Sequence, residues 1–165
     1  MNSDFNRCFK REQLAVKTLE IAINFAVKEG EAGLTLVTKG SRIYKVRHCL
    51  SQLNMMTEER SRFQFKLLEN NFITPIYRQS FQDKCDGINK NFYIISRITD
   101  TIDEKGNLME MALKCDKLQL VKMLERQVLT LWKSAEENMD QLNRRHDKIG
   151  ILLSDKMLFL KKGGV

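Results

Sequence analysis

The stretch VLTLWKSAEENMDQLNRRHDKIGILL, residues 128–153, decides the fold class. Apolar side chains return every three or four residues along it, a spacing that places them on one side of an α-helix. Two polar residues, Asn138 and Arg145, interrupt the pattern on that same side. Extended in both directions, the pattern predicts a long, coiled-coil-like last helix over 108–160.

Three earlier segments show the same spacing and predict helices over 5–29, 42–72 and 76–103. Pro75 separates the second from the third, because its ring clashes with the preceding turn and it lacks an N–H. The DEKGN sequence at 103–107 predicts the turn before the last helix. In the first segment the apolar positions are Phe5, Phe9, Leu14, Val16, Leu19, Ile23, Ala26 and Val27.

The predicted loop 30–41 contains the sequence LTLVT, which is rich in residues that favour strands. A single short strand has no partner elsewhere in the chain, so we interpret this segment as a loop. The alternative is an edge strand that pairs with another protein.

Four helices that each have one apolar side predict an all-α fold, because each helix must bury that side against the others. Short connections favour antiparallel neighbours, so we expect residues 1–165 to form a single domain, an elongated up-down-up-down four-helix bundle. A last helix of about 60 Å would outreach second and third helices of about 45 Å. We therefore expect its distal part to project from the bundle.

A projecting apolar helix predicts a docking surface, since soluble monomers seldom leave a large apolar patch exposed. Polar residues inside such a pattern can fix register and partner number. The alternative is that Arg145 extends to water with its stem over apolar neighbours. The predicted partner-binding residues, for a protein partner or a second copy, are Asn138, Leu142, Arg145, Ile149, Leu152 and Phe159.

The formal net charge of +7 and the pI of about 9.3 raise the alternative of nucleic-acid binding. The candidate residues for phosphate contacts lie around the start of the second helix: Lys39, Arg42, Lys45 and Arg47. Other basic clusters are interleaved with acids such as Glu58 and Asp147, and none of the known nucleic-acid-binding motifs accompanies them. A solvated helix face is the commoner meaning of such charges.

The sequence predicts neither an enzyme nor a cofactor or metal site. Aligning Gly106 with the conserved glycine of an EF-hand puts Thr101, Lys105 and Ala112 where oxygen ligands are required, so the calcium interpretation fails. The Glu-x-x-His motifs of a di-iron bundle do not occur. Four scattered cysteines, Cys8, Cys49, Cys85 and Cys115, predict reduced core residues, and a Cys/His pair formed through space is the catalytic alternative.

The N-terminal sequence lacks a continuous apolar run, so it predicts no signal peptide, and no later segment is long and apolar enough for a transmembrane helix. We expect an intracellular, cytoplasmic protein. The sequence as a whole predicts a non-enzymatic structural or adaptor protein that acts through helix-mediated protein contacts or self-assembly. The alternative is a basic helical nucleic-acid-binding protein.

Overall fold

In the computed structural model the chain forms four helices: α1 (Asn2–Glu31), α2 (Gly40–Glu69), α3 (Pro75–Lys114) and α4 (Leu118–Lys161). The structure describes the backbone of residues 2–34, 40–69 and 75–161 and the side chains of residues 7–34, 42–62 and 79–152. Lys39 and most of the LTLVT segment therefore lie outside the described residues.

The helices form an all-α bundle in which sequence neighbours pack together. Helix α1 packs on α2 and α4, and α3 packs on α2 and α4, while no contacts cross either diagonal among the described residues. This arrangement confirms the predicted four-helix bundle. Trp132, Phe81 and Leu19 are among the fully buried side chains at its centre.

The predicted turn at 103–107 is wrong, since α3 continues through these residues to Lys114. A glycine inside a helix costs about 1 kcal/mol relative to alanine. Met109 and Ala112, just beyond Gly106, are buried in the core. Burying a methionine side chain stabilises by about 1.5–3 kcal/mol, so packing outweighs the local preference for a turn.

Two helix ends share one capping geometry, the Schellman motif. Gly33 has a φ of 78° and Asp116 a φ of 55°, both in the left-handed region. Beyond α1, the Leu34 N–H donates to the Glu29 carbonyl oxygen at 3.1 Å, and beyond α3 the Lys117 N–H donates to that of Ala112 at 2.9 Å. The α3–α4 connection is therefore a three-residue turn centred on Asp116.

The last helix has a long neighbour. Helix α4 has 44 residues, about 66 Å, and α3 has 40 residues, about 60 Å. The predicted 45 Å third helix is therefore wrong, and α3 can accompany α4 for most of its length. Helix α4 also runs without a break through Gly150, against which the ring of Phe9 packs.

Substitutions at the two caps should have opposite effects. Gly33→Ala should lower the free energy of unfolding by about 1 kcal/mol, because alanine is strained at positive φ. No other part of the described chain lies within 4 Å of the added Cβ, so packing would not contribute. Asp116→Gly should raise it by about 0.5 kcal/mol, since glycine relieves that strain. Urea unfolding of both variants tests the pair, and equal signs would contradict the assigned caps.

Candidate functional site: a groove between the first two helices

The predicted partner-binding residues of the last helix do not form an open surface. Leu142 and Ile149 are almost fully buried within the bundle, and Leu152 is half-buried. The side chain of Phe159 lies outside the described residues. The expectation of an exposed distal patch is corrected for Leu142 and Ile149, because the chain's own helices cover them.

Asn138 and Arg145 face α3 and find their partners there. The Arg145 guanidinium donates to the Gly87 carbonyl oxygen at 3.1 Å and to the side-chain oxygen of Asn91. Asn91 is buried, and its amide donates to Asn138 Oδ1 and Gln141 Oε1, each at 3.3 Å. These polar residues fix the register of α3 against α4 within one chain.

Gly87 makes room for Arg145. A Cβ added at Gly87 would lie 2.5 Å from Arg145 Nε and 2.7 Å from its Cδ, well inside van der Waals contact. The guanidinium therefore lies directly on the backbone of α3. A glycine that costs helix stability is explained here by the close approach of a charged side chain.

The predicted nucleic-acid-binding residues are mostly engaged inside the chain. Arg42 pairs with Glu29 and is largely buried, with its guanidinium 5.8 Å from the centre of the Phe25 ring. Arg47 contacts Asp103 at 3.0 Å and Asp100 at 3.4 Å. Lys45 is exposed. The three residues with described side chains therefore do not form a continuous stripe of free cations.

The cysteine and histidine side chains give no activated nucleophile. Burial raises the pKa of Cys8 to about 11 and that of Cys85 to about 12, and it also raises the pKa of Cys49. These three thiols are buried, as predicted, whereas Cys115 is exposed in the α3–α4 turn. Over the described residues, no three potential ligands come together as a metal site.

One layer of the core is polar and joins all four helices. We call it the polar layer: Glu12 of α1, Arg60 of α2, Asn89 of α3 and His146 of α4. Arg60 Nη1 donates to Glu12 Oε2 at 2.7 Å, and its Nη2 donates to Asn89. His146 Nε2 lies 3.3 Å from Glu12 Oε1, and its ring stacks on Phe9 with 4.5 Å between centroids.

The carboxylate of Glu12 is buried, as are Arg60 and His146. Burial opposes its ionisation, but the contact with His146 and the charge of Arg60 outweigh burial and lower the pKa of Glu12. The layer is closed: the cavity beside it, lined by Cys8, Phe81 and Ile149 among others, holds about 10 Å³. With no room for a substrate, we interpret the polar layer as a structural device.

A groove of about 630 Å³ opens between α1 and α2 and is here called the α1/α2 groove. Its floor includes Ala15, Thr18 and Ser51, whose small side chains leave space between the two helices. Leu14 and Met55 line its sides. Small residues beneath large ones are what produce a groove rather than a closed interface.

Exposed apolar residues continue beyond the groove. On α1, positions 14, 18, 21 and 25 follow helical steps, and on α2 positions 44, 48, 51 and 55 do the same. The large apolar residues among them are each more than half exposed: Leu14, Ile21, Phe25, Tyr44 and Met55. Helix α1 therefore has an exposed apolar line, and α2 adds two exposed apolar side chains on the same side of the bundle.

An ion pair marks one end of the groove, where Arg11 contacts Glu59 at 3.5 Å. Beyond the other end, Phe25 lies under the guanidinium of Arg42, which is fixed by Glu29. There the rings of Tyr44 and His48 stack at 6.1 Å. The residues that line the groove cover about 11 Å of α1 and about 17 Å of α2.

The sequence analysis missed this groove because it assigned Leu14 to the same apolar side as Leu19 and Ile23. The structure leaves Leu14 exposed on a second face with Ile21 and Phe25. The available signal was the spacing 14, 21, 25, a helical line offset from the core positions. Such a line indicates a wide apolar surface, but it does not show which part the bundle covers.

Removing the carboxylate of the polar layer should destabilise the fold. Glu12→Gln should lower the free energy of unfolding at neutral pH by about 3 kcal/mol, because Arg60 stays buried without its counter-charge. Because folding lowers the pKa of Glu12, its carboxylate contributes its full stabilisation at pH values above the ordinary pKa of 4.5. That stabilisation is lost as the pH falls through the lower pKa of the folded state. In denaturant titrations, the difference in free energy of unfolding between wild type and Glu12→Gln should decrease as the pH is lowered to acid values.

Glu20→Gln is the control for this comparison, since Glu20 makes an exposed contact with Lys17 at 4.0 Å. It should change stability by less than about 0.5 kcal/mol. If the difference in free energy of unfolding between Glu12→Gln and wild type did not change with pH, that result would contradict the buried ion pair.

The effect of filling the space at Gly87 should depend on Arg145. Gly87→Ala alone should lower the free energy of unfolding by about 1 kcal/mol. The added methyl group displaces Arg145 from Asn91, and the lost hydrogen bond outweighs the higher helix propensity of alanine. In an Arg145→Ala background the same substitution should stabilise by about 1 kcal/mol, the ordinary advantage of alanine over glycine. A double-mutant cycle by denaturant unfolding measures the change of sign, and an unchanged sign would rule out the contact.

Comparison with known proteins found no match among family models, curated proteins or solved structures. Over the described residues, no helix is both long and apolar enough to cross a membrane. The α1/α2 groove is therefore the candidate site on its geometry alone.

Proposed function

We propose that this protein is a non-enzymatic helical adaptor that binds an amphipathic helix of a partner protein in the α1/α2 groove. The observation that carries the proposal is a groove lined by Leu14, Met55 and Met56, with the exposed apolar line of α1 continuing beyond it. The sequence predicted a binding surface on the last helix. We keep the proposal of helix-mediated protein binding and place the binding surface on α1 and α2 instead.

A helix is the occupant that this shape supports best. Side chains on two packed helices form ridges, and the groove between them accepts the ridge of a third helix. Helix-in-groove recognition uses apolar anchors at helical spacing on the ligand. The lined length of about 17 Å along α2 corresponds to about 11 residues of ligand helix, or three turns. Met55 and Met56 add adaptable walls, because methionine fits varied apolar partners.

A small metabolite fits the groove less well. Sites for small molecules are concave and use a few convergent polar groups to orient the ligand. Several polar groups of this groove are already engaged: Arg11 and Glu59 pair with each other, and the His48 ring stacks on Tyr44. The walls offer mainly apolar contact over an open length, which supports a macromolecular ligand.

The proposal predicts binding of a designed helical peptide of about 18 residues with one leucine stripe and uncharged polar flanks. Ile21→Asp and Met55→Asp should each weaken its binding at least about tenfold, since each places a charge on an apolar wall. Fluorescence anisotropy of the labelled peptide against the full-length chain gives the affinities.

Tyr93→Asp is the matched control, because Tyr93 is similarly exposed but lies on α3, outside the groove. Thermal unfolding should show all three variants folded, as expected for exposed positions. Equal binding by the three variants, or absence of binding by the wild type, would overturn the proposed groove.

A further inference from the structure

The charges on the exposed side of α1 are unbalanced, and this imbalance bears on the partner. The acids of α1 within the described side chains are all engaged. Three of these pairs reach to another helix, and the fourth is local. The pairs are Glu12 with Arg60, Glu29 with Arg42, Glu31 with Lys133 and Glu20 with Lys17. The acids of α1 are thus directed away from the outer edge of the groove or are already neutralised.

The cations of α1 are distributed differently. Arg7, Lys10 and Lys28 are exposed, and none has an ion pair among the described side chains. Lys17 is also exposed, and its contact with Glu20 is long, at 4.0 Å. Helix α1 therefore presents positive charge on its solvent side, offset locally only at Lys17.

The three lysines form one line along the outer side of the apolar line of α1. Lys10, Lys17 and Lys28 are separated by 7 and 11 residues, which are close to two and three whole helical turns. Lys10 precedes Leu14 by four residues, Lys17 precedes Ile21 by four, and Lys28 follows Phe25 by three. Each lysine thus neighbours one apolar residue of the α1 wall.

A second copy of the chain is a poor occupant, because it would bring the same line of lysines against this one. A nucleic acid would satisfy the lysines but leave the apolar walls exposed, since phosphates do not cover leucine and methionine. A helix with an apolar stripe and acids along one edge satisfies both features.

On the basis of the proposed function, we propose that the partner helix is acidic, with Asp or Glu beside its apolar stripe facing Lys10, Lys17 and Lys28. The apolar stripe supplies the contact in the groove. The acids select among amphipathic helices and accelerate association by electrostatic steering.

Three designed peptides test this inference. They share one leucine stripe and differ only in the residues on the flanks: glutamate, glutamine or lysine. In low salt the glutamate peptide should bind the full-length chain about tenfold more tightly than the glutamine peptide, as two or three exposed ion pairs would give. The advantage should shrink at about 0.5 M salt, where screening is strong. The lysine peptide should bind most weakly.

Charge reversal at the lysine line provides the specific variant. Lys10→Glu with Lys28→Glu should abolish the preference for the glutamate peptide and leave binding of the glutamine peptide within about twofold. Lys90→Glu with Lys148→Glu makes the same change in net charge at exposed positions on α3 and α4 and should keep the preference.

The outcomes separate the two proposals. Equal affinity for the glutamate and glutamine peptides, with sensitivity to Ile21→Asp, would overturn the acidic partner and leave the groove standing. Absence of binding by all peptides would overturn the groove itself. A short DNA duplex that binds more tightly than any peptide, and loses affinity with Lys10→Glu and Lys28→Glu, would overturn the acidic helix in favour of nucleic acid.

Discussion

The buried carboxylate of Glu12 is the constraint on which the bundle depends. Four helices with apolar sides can slide or rotate against one another at small cost, because leucine and isoleucine accept many neighbours. A helix that carries a buried charge cannot slide or rotate in this way, since the charge needs its partners at hydrogen-bonding distance. Arg60 at 2.7 Å and His146 at 3.3 Å meet that need only when α1, α2 and α4 stand in one register. Asn89 adds α3 through Arg60.

The groove follows from that register. With Glu12 facing Arg60, α1 and α2 run antiparallel with Leu14 near Met55 and Thr18 near Ser51. The small residues then lie between the helices and the large apolar residues lie on the rims. The interactions that fix the core thus place the exposed walls, although Glu12, Arg60 and His146 are themselves buried. The same interactions pair the carboxylate of Glu12 with Arg60 in the core, so that this acid does not offset the lysines of α1.

Some local features could be predicted and others could not. Pro75 begins α3 as its missing N–H requires. The DEKGN segment, by contrast, has turn composition but continues as helix because Met109 and Ala112 are buried beyond it. The real turn at 115–117 has a weaker signal, since it uses Asp116 at positive φ where glycine is the usual residue. Asn138 and Arg145 were correctly identified as unusual, but their partners Gly87 and Asn91 lie on a helix far away in sequence.

The sequence by itself determined the fold class, since the spacing of apolar residues leaves each helix one side that only other helices can bury. It also identified Asn138 and Arg145 as polar residues on the apolar side of the last helix. The tertiary structure alone decided which of two apolar lines on α1 is covered, because that depends on how the helix is rotated against its neighbours. It likewise decided that Leu142 and Ile149 are interior and that the groove between α1 and α2 is open. Rotation and register are set by pairings between distant residues, and local periodicity carries no information about them.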